Sequence, residues 1–249
     1  LRYFIQLSYD GEAYCGWQIQ PNGNTVQETL QKALSITSRT EISVVGQGRT
    51  DAGVHALKSY AHFDIEKLPF DLTQWVYKLN TFLPKDIAIQ QIVPVNEDAH
   101  ARFSALSRSY RYIISTTKNP FWHNRAWEIY RTLDVQRMEE AAQFLKGKHD
   151  FTSFSSMKSD TESRVCDVKH LDLSTDGTFI YVDITADRFV MNMVRTIVGT
   201  LVEVGLEKRK PSEMVKIIAA LDRKKAGENA PPHALYLREV KYPEHIFSV

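Results

Sequence analysis

A chain of 249 residues that is 43% hydrophobic and 24% charged suits one large domain or two small ones with a real core, which excludes disorder. A formal net charge of +1 excludes a uniformly basic coat for nucleic acid and leaves only a local patch open. Two cysteines far apart, Cys15 and Cys166, argue against a disulfide scaffold or zinc site and point to a reducing, cytoplasmic setting.

In chain order, residues 2–9 alternate as a strand and close on the turn pair Asp10-Gly11, a pattern unlike a signal peptide. Thr25-Val26-Gln27-Glu28 has the form of a capping box, and Val26, Leu30, Ala33 and Leu34 give the following helix one apolar face. Residues 42–45 read as a buried strand, 59–65 as another, 72–79 as a short helix and 87–93 as a strand. The order β-α-β-β-α-β is the split βαβ plan of ferredoxin-like domains. The second half mixes elements again. Residues 109–115 are strand-like, and Asp134 caps a helix through Leu145. A hairpin turns at Asp176-Gly177, a long helix runs from Phe189 to about Val204, Pro211 opens another, and residues 236–240 close as a strand. The change of elements near Ser104 divides the chain into residues 1–104 and 105–249. No apolar run is long enough to span a bilayer.

The chemistry concentrates between Gly46 and Ala56. Three glycines, Arg49, Asp51 and His55 follow an apolar run there, and a Gly-rich loop at a strand end can present a side chain into a cleft. Asp51 is the candidate functional carboxylate. The eight histidines show no ligand spacing, so His55 reads as a packing or hydrogen-bonding residue, and no metal site is expected. From Ala99 to Trp127 there is no acidic residue, while Arg102, Arg108, Arg111, Lys118 and Arg125 alternate with aromatic rings. Cations for phosphates and rings for bases suit RNA, and rings in the core with solvated cations suit the sequence as well. Tyr110 and Tyr112 share a strand face, and nothing in the pattern separates them. Arg195 stands in a helix that is apolar almost all round. A buried cation there calls for an anion, with Asp51, Asp183 and Asp187 as candidates. The triplets Lys208-Arg209-Lys210 and Arg223-Lys224-Lys225 read as solvated helix ends that either serve solubility or meet phosphate.

Gly48-Arg49-Thr50-Asp51-Ala52-Gly53-Val54-His55-Ala56 resembles the signature of the tRNA pseudouridine synthase A family. In order and spacing the resemblance extends to Tyr9-Asp10-Gly11, Tyr14-x-Gly16-Trp17-Gln18, Ala101-Arg102-Phe103-Ser104-Ala105 and Arg108-Ser109-Tyr110-Arg111-Tyr112. It continues through His149-Asp150-Phe151-Thr152-Ser153-Phe154 and Met193-Val194-Arg195-x-x-Val198-Gly199. Gln47, where Ala is frequent, and Met191-Asn192 depart from the pattern. The resemblance implies an α+β fold of two ferredoxin-like halves sharing a mixed, largely antiparallel sheet with a central cleft. It implies an isomerase acting on uridines 38–40 of the tRNA anticodon stem-loop, a homodimer with tRNA as partner, no membrane and no cofactor. By position it makes Asp51 the catalytic aspartate and Tyr110 the substrate-binding tyrosine, with Arg49 and Arg195 nearby. The carboxylate's first act, on C1′, on C6 or on a ribose proton, stays open. Two other classes stand beside this reading: a non-catalytic RNA-binding module, and a glycoside or nucleoside hydrolase using Asp51 as nucleophile.

Overall fold

The computed structural model describes residues 1–157 and 162–247. In chain order the first elements are β1 (Arg2–Tyr9), α1 (Val26–Ser38), β2 (Val45–Gly46), β3 (His55–Asp64), α2 (Leu72–Phe82) and β4 (Ile87–Val95). They are followed by β5 (Ser107–Ser115), β6 (Trp127–Glu128), α3 (Val135–Gln143), β7 (Gly147–Asp150), β8 (Val165–Thr175) and β9 (Phe179–Ala186). Helices α4 (Met193–Gly205) and α5 (Glu213–Ala220) and strand β10 (Leu235–Lys241) complete the α+β fold. The chain forms two compact units, one of residues 1–106 with 236–249 and one of residues 107–235.

In the first unit β1 lies between β4 and β3, antiparallel to both, with Ile5 opposite Ile92 and Ala61. The other edge of β3 is shared. Its C-terminal half pairs with β2 through Val45 and His62, and its N-terminal half runs parallel to β10 through His55 and Tyr236. Helix α1 starts where the capping box places it: the Thr25 hydroxyl accepts the Glu28 amide at 3.3 Å, and Val26, Leu30, Ala33 and Leu34 are its buried face. Trp75 of α2 is fully buried against this layer and donates its indole N–H to the Thr37 hydroxyl at 2.8 Å. Removing the cap is a mild test of this start. Thr25→Ala should lower stability by about 1 kcal/mol in urea melts, with activity retained.

The strand expected at residues 42–45 is reduced to Val45 and Gly46. The cause lies on α1, where Gln27, Gln31 and Ser35 stand four residues apart on one face. Gln31 accepts the Val44 amide at 3.2 Å, Ser35 accepts the Ile42 amide at 2.9 Å, and Gln27 donates to the Val44 carbonyl at 2.7 Å. Helix side chains satisfy this backbone, so no ladder is needed to do so.

In the second unit β9 lies between β5 and β8 and β7 adds an edge on β8, all antiparallel, while β6 runs parallel to β5. The run β5-α3-β8-β9-α4 with sheet order β5-β9-β8 repeats the run β1-α1-β2-β3-α2 with order β1-β3-β2. Two split βαβ frames are therefore present without any sequence repeat. Asp134 caps α3 by accepting the Arg137 amide at 3.0 Å, and the hairpin turns at Asp176-Gly177 as expected. The long helix does not begin at Phe189. The Asp187 carboxylate holds the Asp167 and Arg188 amides, and Asn192 adopts a left-handed φ of 65°, so α4 starts only at Met193. Among the described residues no helix is long and apolar enough to cross a membrane.

Candidate active site

The segment from Gly46 to His55 is a pinned loop that joins β2 to β3. The Gln47 amide bonds the Tyr60 carbonyl at 2.9 Å, and the Val54 amide closes a tight turn onto the Asp51 carbonyl at 3.2 Å. Gly53, at φ 79°, supplies the left-handed position that this turn requires. Thr50 is buried between exposed Arg49 and half-buried Asp51, and its hydroxyl meets the Tyr9 hydroxyl at 2.9 Å.

The floor beneath the loop comes from residues 9–17. The Trp17 amide donates to the Thr50 carbonyl at 3.2 Å and the Gly53 amide to the Tyr14 carbonyl at 3.3 Å. Backbone contact here leaves no room for side chains: a Cβ on Gly11 would lie 2.0 Å from the Val54 carbonyl oxygen. The motifs Tyr9-Asp10-Gly11 and Tyr14-x-Gly16-Trp17, distant in sequence from Asp51, thus carry its turn. Pattern reading alone missed these supports, and their only signal was the paired glycines among aromatics. Tyr14 is anchored in turn, donating to Asp86 at 2.7 Å; burial, then that carboxylate, push its hydroxyl well above the usual phenol range.

In the second unit the two tyrosines of β5 separate. Tyr112 is fully buried, its hydroxyl donates to the Pro231 carbonyl at 2.8 Å, and burial raises its pKa far above that of a free phenol. Tyr112 is core. Tyr110 sits at 9% exposure with its ring edge-on to Phe189 at 5.2 Å. Arg195 on α4 is half-buried where full burial was expected; its Nε donates to the Ala230 carbonyl at 2.7 Å and its Nη1 to Asn192 at 3.3 Å. Of the acids considered for it, Asp183 receives a bidentate pair from Arg111 at 2.8 and 2.6 Å, and Asp187 receives the backbone amides described above. Arg49 and Asp51 therefore share one loop of the first unit, and Tyr110 and Arg195 belong to β5 and α4 of the second.

The acid-free stretch divides between both readings. Tyr112 and Tyr110 are interior rings and Trp122 packs against Phe179 at 4.8 Å, whereas Phe103 and Phe121 are 75% and 88% exposed. Arg111 is tied to Asp183, and Arg108 donates to the Asp187 carbonyl at 3.0 Å. The two basic triplets meet, Arg209 donating to the Lys225 carbonyl at 3.0 Å and pairing with Glu203.

The sequence of this chain is matched in known proteins. The family described as tRNA pseudouridine synthase matches residues 6–104 and 141–243. A tRNA pseudouridine synthase A from Parabacteroides distasonis is 48% identical over 248 residues, covering 100% of this chain and 98% of the relative. Proteins of the same name from Bacteroides thetaiotaomicron and Bacillus subtilis are 49% and 42% identical, covering 99% and 97% of this chain and 93% and 99% of their own lengths. The chain belongs to the tRNA pseudouridine synthase family, whose members are isomerases.

Proposed function

We propose that this protein converts uridine to pseudouridine at positions 38–40 of the tRNA anticodon stem-loop, with Asp51 as its catalytic carboxylate. The observation that carries the reading is the pinned turn, which holds a half-buried carboxylate on backbone bonds from residues 14 and 17. Rigid placement is what a reacting carboxylate needs. The reaction breaks the N1–C1′ bond, turns the base, joins C5 to C1′, and moves one proton from C5 to N1. Atoms only change places, so the balance requires no oxidant and no transferred group.

The target base must leave its stack at a cost of a few kcal/mol, and stacking on a ring returns about 1–3 kcal/mol per base. Tyr110 is the ring assigned to that role, and Arg49 and Arg195 are assigned to the RNA around it. The working form is a cytoplasmic homodimer. The experiment maps pseudouridine in unmodified tRNA transcript by carbodiimide labelling and primer extension after incubation with the protein. New stops confined to positions 38–40 are expected. Stops only at other uridines overturn the site assignment, and release of free uracil overturns the isomerase reading in favour of a hydrolase.

A second reading draws on exposed Phe103 and Phe121 within the acid-free stretch: a module that binds RNA without acting on it. It requires tRNA binding with no new pseudouridine in the same assay.

A further inference from the structure

The loop described above ends on a histidine that the chemistry leaves unused. His55 opens β3, is 2% exposed, and stands four residues after Asp51. Its Nδ1 lies 3.0 Å from the Gly11 amide nitrogen and 2.9 Å from the Asp10 carboxylate: unprotonated it accepts from the amide, protonated it donates to the carboxylate, and in either form it is tied to residues 10–11. One face of the ring stacks on Tyr236, with centroids 4.7 Å apart and planes at 20°. Packing and polar function are thus carried by different parts of the same side chain.

The backbone path from this ring to Asp51 is short and closed. The Gly11 amide bonds His55, the backbone of Gly11 packs directly on the Val54 carbonyl, and the Val54 amide bonds the Asp51 carbonyl. Replacing Nδ1 by carbon removes the tie to residues 10–11 in either form and favours a shifted backbone. A displacement of about 1 Å at a reacting group is enough for a rate loss of about 100-fold. We propose that His55 is a positioning residue for the reaction: through Nδ1 it clamps residues 10–11 onto the Asp51 turn and sets the approach of the carboxylate. The inference rests on the assignment of Asp51 made above.

The test separates ring packing from the nitrogen. His55→Phe keeps a flat ring on Tyr236 and loses Nδ1; His55→Asn places an amide near the position of Nδ1; His55→Gln carries its amide one bond too far. Single-turnover rates, steady-state kcat and KM, and tRNA affinity by filter binding are measured for each beside wild type. His55→Phe should lose about 30–100-fold in kcat with tRNA affinity within about 2-fold. His55→Asn should stay within about 5-fold of wild type and exceed His55→Gln by about 10-fold. A wild-type kcat in His55→Phe, equal rates in the Asn and Gln variants, or a loss that appears in affinity instead of rate would overturn the proposal. Where His55→Phe fails to fold in a thermal melt, the Asn and Gln pair decides alone. An inactive wild type would instead defeat the assignment of the reaction, so the two failures are distinct.

Discussion

Asp51→Asn should reduce release of tritium from tRNA labelled at uridine C5 by more than about 1,000-fold, while tRNA affinity stays within about 3-fold. Loss of a general base alone costs about 100–10,000-fold, and loss of a nucleophile costs at least as much. At about 1.4 kcal/mol per decade, a 1,000-fold loss is about 4 kcal/mol of transition-state stabilisation. The carboxamide is nearly the same size, so the turn closed by the Val54 amide on the Asp51 carbonyl should survive the change. A melting curve like that of wild type would show it. Full tritium release by the variant would remove Asp51 from the chemistry and with it the central claim.

The second large effect is on stability. Gly199 lies inside α4, where alanine is normally better than glycine by about 1 kcal/mol. Here the sign reverses. A Cβ at this position would stand 1.8 Å from the Glu228 carbonyl oxygen and 3.0 Å from its carbon, both backbone atoms with no flexible side chain to yield. Overpacking of this kind costs about 1–3 kcal/mol and occasionally more, which outweighs the gain in helix propensity. Gly199→Ala should therefore lose about 2 kcal/mol in urea unfolding. The displaced segment also carries Ala230, whose carbonyl accepts from Arg195 at 2.7 Å, so KM for tRNA should rise as well. Unchanged stability would mean that the segment from Glu228 to Ala230 moves freely, and the account of how Arg195 is held would fall with it.

Elements that signal themselves locally are legible in the sequence. The cap at Thr25, the cap at Asp134 and the turn at Asp176-Gly177 depend on neighbouring residues alone, and each stands where the sequence puts it. Elements decided by distant partners are not. Residues 42–44 have a strand's composition, yet the polar row on α1 takes their backbone groups. Asn192 turns left-handed inside an apolar run, which periodicity does not register. Tyr110 and Tyr112 are identical in pattern, and their different depth and the reach of the Tyr112 hydroxyl to Pro231 separate them. At the site, Asp51 and its glycines were visible as a loop, but the residues beneath them were visible only as motifs without a stated purpose.

The placement of β10 bears on how the chain comes to be folded during synthesis. Residues 107–235 leave the ribosome before Tyr236, yet the edge of β3 at His55 and Ala56, just behind the Asp51 turn, pairs with Tyr236 and Leu237. Domains generally fold as they emerge, N-terminal first. The first unit must therefore wait, one strand short, while the whole second unit is made. During that interval the segment that carries Asp51 is bordered by unpaired backbone, and the frame beneath it closes only when β10 arrives.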